Sequence, residues 1–161
     1  MEQSAQFFFS PENRVAPLGI VAMEGAQELA DKIEAHLVRW ANQAGMNIDT
    51  FRIGCSCPRF SSGDGKGILE SSVRGYDLYF VVDVGNYSCT YKYFGQENHM
   101  SPDDHYQDLK RLIQAAMGKA HRITVVMPYP KREVEIVPQN IPLDIPYEDD
   151  DLLIVDKPAG M

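Results

Sequence analysis

The stretch YDLYFVVDV, Tyr76 to Val84, has an unbroken apolar centre. A strand with one wet face alternates apolar and polar residues, so a run without that alternation has to be covered on both sides, as in the interior of a parallel sheet. Two further runs share this character: LGIVAM, Leu18 to Met23, and HRITVVMP, His121 to Pro128. Between the first two lies EGAQELADKIEAHLVRWANQAG, in which Ala26, Leu29, Ala30, Ile33, Leu37 and Trp40 recur at helical spacing, and a helix is predicted there, ending near Gly45. TFRIGCSC, residues 50–57, reads as another strand. Before the last strand, SPDDHYQDLKRLIQAAMGKA predicts a second helix: Ser101 caps it, Pro102 suits its first position, Asp104 completes a capping box, and Leu109, Leu112, Ile113, Ala116 and Met117 form the buried stripe. Strands alternating with helices define an α/β class, a mostly parallel sheet flanked by helices.

The 161 residues suffice for one domain with a real core and an appendage, and composition sets the boundary. Residues 1–130 form the α/β part. Residues 131–161 hold eight acids against three bases, and Pro138, Pro142, Pro146 and Pro158 recur without helical period. This tail is expected to be extended, with at most two short strands, at VEIV and LLIV. The formal net charge of −8, with no basic cluster, argues against a broad grip on nucleic acid. FFF near the N-terminus follows no basic start, and no run approaches the roughly 20 apolar residues of a membrane span. A cytosolic protein with no membrane partner is expected. Cys55, Cys57 and Cys89 lack zinc-site spacing and read as small reduced side chains.

Three segments carry the candidate chemistry. In CPRFSSGDGKGILESSVRGYD, Gly63, Gly65 and Gly67 surround Lys66; they could wrap N–H groups round a phosphate, or form a flexible turn or flap. The spacing does not match a P-loop. GNYSCTYKYFGQENHM, residues 85–100, is aromatic but aperiodic and reads as irregular and exposed. It offers Tyr87, Tyr91, Tyr93 and Phe94 either to a partner's surface or to their own domain. His99, Asp103, Asp104 and His105 cluster as metal ligands would, yet acids in a first helical turn already favour the macrodipole, so no metal site is assigned to them. His36 and His121 are isolated.

RFSSGDGKGILESSVRG resembles, without a gap, the ribose-phosphate pyrophosphokinase stretch R-F-x-[DN]-G-E followed by N-V-R-G. The likeness extends over about residues 15–129. It is strongest to a longer bacterial subgroup carrying CPRF, SVRGYDLY and NHMSPDDHYQDLKR. The resemblance implies a phosphoribosyltransferase-like N-terminal domain, ATP as substrate with Mg2+ as cofactor, and a homo-oligomer whose nucleotide site spans two subunits. By position Phe60 would stack on adenine, and Ser62 and Asp64 would hydrogen-bond the nucleoside. Ser62 stands where the family has Asp or Asn, and Asp64 where it has Glu, so the acid's reach is shorter.

The tail PQNIPLDIPYEDDDLLIVDKPAGM is similar to the link and first strand of the catalytic domain of ribosomal large-subunit pseudouridine synthases. In both families the catalytic residues lie on segments beyond the matching ones. No catalytic residue is therefore assigned, and no turnover is expected from this chain alone. Its alternatives are a non-catalytic module that binds a partner subunit, or part of an RNA-modifying enzyme.

Overall fold

In the computed structural model, residues 9–10 and 14–128 are described in full, with the backbone of residues 144–148 and 153–156 beyond them. The elements run β1 (Leu18–Ala22), α1 (Gln27–Gln43), β2 (Cys55–Ser56), β3 (Ile68–Leu69), β4 (Asp77–Val81), β5 (Thr90–Tyr93), β6 (Gln96–His99), α2 (Pro102–Ala116) and β7 (Arg122–Val126). β1, β4 and β7 are the three runs singled out by their lack of alternation, and they form a parallel sheet in the order β1-β4-β7. The predicted class is the observed one.

Successive side chains on these strands point to opposite faces, and each face has its own helix. Ile20, Ala22 and Val81 pack with Ala30 and Ala41 of α1 and with Phe51. Val21, Leu78, Phe80 and Val82 pack with Leu109, Leu112 and Ala116 of α2. Phe80 and Leu78 are wholly buried, at about 1.5–3 kcal/mol of transfer free energy apiece. α1 ends in a Schellman turn: Gly45 adopts φ +81°, its N–H reaches Asn42 O, and the Met46 N–H reaches Ala41 O. α2 begins with the predicted capping box between Ser101 and Asp104.

Two predicted segments differ from what the chain forms. Residues 50–57 are not one strand. Ile20 and Phe51–Ile53 exchange parallel backbone bonds of 2.8 Å on the edge of β1 away from β4, and the chain then turns at Gly54 into β2. After the break the Gly54 carbonyl accepts from the Glu70 N–H at 2.9 Å, at the foot of the β2–β3 pair. Residues 85–100 are not irregular either, because β5 and β6 pair antiparallel from Thr90↔His99 to Tyr93↔Gln96. The hairpin turns on Phe94 and Gly95, both at positive φ.

The chain thus leaves β1 toward one edge and later adds β4 and β7 on the other. Open α/β sheets place binding crevices at such reversals. A cavity of about 290 Å³ opens beyond the C-terminal end of β1, lined by Met23, Glu24, Cys55, Cys57, His105 and Asp108 among others.

Residues 131–161 form a separate unit. In it β8 (Asp144–Glu148) and β9 (Leu153–Asp156) pair antiparallel, with a register shift between Asp144 and Tyr147. β9 falls on the predicted LLIV strand; β8 was not expected, and VEIV lies outside the described residues.

Candidate functional site

β2 and β3 are the base of a longer hairpin that carries the glycine-rich segment. Arg59 bridges antiparallel to Gly65, the Lys66 N–H donates to Pro58 O at 3.0 Å, and the Phe60 N–H donates to Asp64 O at 2.7 Å. At the tip the Gly63 N–H closes onto Phe60 O at 2.9 Å, with Gly63 at φ +90°. The glycines therefore have packing duties. Gly63 supplies the left-handed turn. A methyl group on Gly65 would strike the guanidinium groups of Arg59 and Arg111, and one on Gly67 would strike the backbone of α2 at Arg111. The returning strand lies directly against α2, and the tip is a turn, one of the two forms expected for this segment.

Arg59, at the bridge, and Phe60, at the start of the turn, differ sharply in burial. The Arg59 side chain is 6% exposed. Its Nη1 donates to Asp108 Oδ1 at 2.6 Å and its Nη2 to Asp108 Oδ2 at 3.1 Å, a two-pronged contact. Arg111 Nη1 donates to the same Oδ1 at 2.7 Å, and the Arg59 guanidinium lies 4.9 Å from the centre of the Tyr91 ring. One carboxylate on α2 thus ties together the hairpin, the helix and β5. Phe60, by contrast, is 54% exposed. Beside it the Ser62 hydroxyl donates to Asp64 Oδ2 at 3.1 Å, and both side chains are exposed.

The tip therefore presents an aromatic face together with a carboxylate–hydroxyl pair. It can stack on a planar ring and accept hydrogen bonds from neighbouring hydroxyls. All three residues named from the sequence sit on this one turn.

The histidine and acid cluster separates into individual duties. His99 Nδ1 pairs with Tyr87 O at 3.1 Å, and buried His105 pairs through Nε2 with Asn86 O at 2.8 Å. Asp104 accepts from the Ser101 N–H at 2.9 Å and from its hydroxyl at 2.7 Å. Burial pushes the Asp104 carboxyl up, but these two bonds, with Arg59 and His105 nearby, outweigh it and hold the group below its ordinary 3.8. In the cavity, burial pushes the Cys55 thiol up to about 11 and the Cys57 thiol up to about 12; Asp108 adds to the latter. Among the described residues no three or more His, Cys, Asp or Glu side chains are gathered as a metal ion requires. No described helix is long and apolar enough to cross a membrane.

The sequence model for the N-terminal domain of ribose phosphate pyrophosphokinase matches residues 18–132. The chain belongs to that family. The match takes in the sheet, both helices and the Arg59–Gly67 hairpin, and it stops at the boundary between the two units. No curated protein matches the chain.

Arg59, Asp108 and Arg111 are not singled out by the sequence as functional residues, and Tyr91, offered there to a partner's surface or to its own domain, lies under the Arg59 guanidinium. A signal for one of them was present. Positions 105, 108, 109, 112 and 116 lie on one face of α2, so Asp108 occupies a core position of an amphipathic helix. A buried carboxylate there needs a cationic partner.

Proposed function

We propose that this chain supplies the adenine-holding loop of a ribose-phosphate pyrophosphokinase, the class of enzyme that moves the β,γ-diphosphoryl group of ATP onto the 1-hydroxyl of ribose 5-phosphate and releases AMP. The supporting observation is the contrast between Arg59 and Phe60: one side chain is buried and the next is exposed, on the segment that resembles the family's nucleotide loop. Phe60 stacks on the base, while Asp64 and Ser62 take the hydroxyls of the ribose. Phe60, Ser62 and Asp64 are all exposed at the tip. The rest of the site comes from another subunit, in a homo-oligomer.

The triphosphate gains little from this loop. Arg59 and Arg111 are both engaged by Asp108, which leaves Lys66 as the exposed cation on the hairpin. Magnesium, implied by the resemblance, finds no gathered donor set among the described residues, and no step is assigned to it here. A single stacked base contributes about 1–3 kcal/mol, so adenosine and ATP should bind this chain with similar affinities, millimolar at best.

Calorimetry with the whole chain tests this. Adenosine should give a weak signal of nearly the same strength as ATP, lost in Phe60→Ala and only slightly reduced, in a salt-dependent way, in Lys66→Ala. Micromolar, magnesium-dependent ATP binding that ignores Phe60 would place the nucleotide elsewhere.

A further inference from the structure

The geometry points to Asp108 as a positioning residue that holds Phe60 outward, acting through Arg59. The assignment rests on the nucleotide-loop reading for its purpose, but its structural half can be measured without any nucleotide.

Three observations converge on it. First, the carboxylate is 7% exposed and takes both prongs of Arg59, so the arginine is fixed in position and in plane. Second, Phe60 follows Arg59 directly where the Arg59–Gly65 bridge gives way to the turn, and the backbone bonds of bridge and turn set Arg59 inward and Phe60 outward together. A released Arg59 frees that arrangement, and the apolar ring is then drawn toward the protein surface. Third, the tip is secured by few other contacts. The Phe60–Asp64 and Phe60–Gly63 backbone bonds close the turn on itself; Gly63 rests against the Tyr93 ring of β5, and the polar anchor to the rest of the domain is the Arg59 guanidinium, with the Gly65 and Gly67 contacts on α2 behind it. Tyr91, beneath the guanidinium, limits its swing in the remaining direction.

Asp108 also lines the cavity beyond β1, where its backbone carbonyl accepts from the Cys57 thiol at 3.8 Å. Three of the polar side chains around that cavity have partners: Gln27 donates to Ala22 O at 3.0 Å, His105 bonds Asn86 O, and Asp108 accepts from its two arginines. The cavity is the inner side of the anchor, and the exposed ring is its outer side.

The test uses the whole chain with 4-fluorophenylalanine at its phenylalanines, the Phe60 resonance being assigned by its loss in Phe60→Leu. Two variants are compared. Asp108→Asn keeps the size of the side chain and removes its charge. Arg59→Lys keeps the buried positive charge next to Asp108 and removes the planar fork, so it retains the fold should Asp108→Asn not. In the parent the Phe60 signal should be single and distinct from that of an unfolded chain. In either folded variant it should shift toward the averaged position, while the signals of Phe51 and Phe80 in the core stay where they were. Adenosine binding should weaken roughly tenfold if the outward arrangement falls to about a tenth of the population. Asp108→Glu, which can still reach both prongs, should recover part of the parent signal.

An unchanged Phe60 resonance in folded Arg59→Lys overturns the assignment. A moved resonance with no adenosine binding even in the parent upholds the positioning role and refutes the nucleotide reading instead.

Discussion

At the residue scale the environment of each titratable group decides what it can do. Cys55 and Cys57 line a cavity, which would suit a reactive thiol, but burial raises them to about 11 and about 12 from an ordinary 9.0. Only the thiolate attacks, so near pH 8 alkylation of Cys55 should run roughly a hundredfold slower than that of an exposed peptide cysteine, following its smaller thiolate fraction. Rates measured with iodoacetamide, with adducts located by mass spectrometry, check this. Labelling of either residue at the rate of a free thiol would show that the cavity opens far more than its packing indicates. The same contrast explains what the sequence could reveal here. Phe60, Ser62 and Asp64 were found because a motif marks them. The anchoring pair Arg59 and Asp108 is 49 positions apart in the chain, and only folding puts the two ends together.

At the element scale the start of α2 is the clearest case of a local rule that holds. Ser101 accepts from the Asp104 N–H at 3.2 Å and Asp104 accepts from the Ser101 N–H, so two otherwise orphaned donors are satisfied. Ser101→Ala should cost about 1 kcal/mol in urea denaturation. Because the Asp104 carboxyl is held below its ordinary 3.8 in the folded chain, its stabilisation is fully present above that value and is lost as pH falls through the lower folded value. Asp77, lowered chiefly by its hydrogen bonds from Arg122, acts in the same direction. Asp104→Asn should therefore flatten the acid limb of stability below about pH 4; an unaltered limb would mean the carboxylate contributes nothing as an anion. The β5–β6 hairpin shows why a neighbouring element was illegible. Its residues TYKY and QENH are mostly exposed or half-buried, so no face alternates, and its two-residue turn is Phe94–Gly95 rather than Asn–Gly. Phe94 accepts φ +49°, with its ring packed edge-on against Tyr93 at 4.5 Å between centres.

At the scale of the whole molecule, burial on two faces determines the architecture. Strands β1 and β4, the helices and the class were readable because burial on both faces leaves an apolar run; the edge strand β7 carries a similar run although it is only half-buried, with Val125 exposed. Residues 50–57 left a misleading record. Phe51 and Ile53 are buried as strand residues would be, yet the pairing lasts for one bridge before Gly54 diverts the chain. The family match then joins this scaffold to the outward-facing ring on its hairpin. The most direct measurement of that link is an intermolecular nuclear Overhauser effect between adenine H2 or H8 and the ring protons of Phe60, recorded with excess adenosine on the whole chain. Contact between base and ring, abolished in Phe60→Leu, is the result expected. Nucleotide binding in which the base protons approach other residues and leave the Phe60 ring untouched would contradict it.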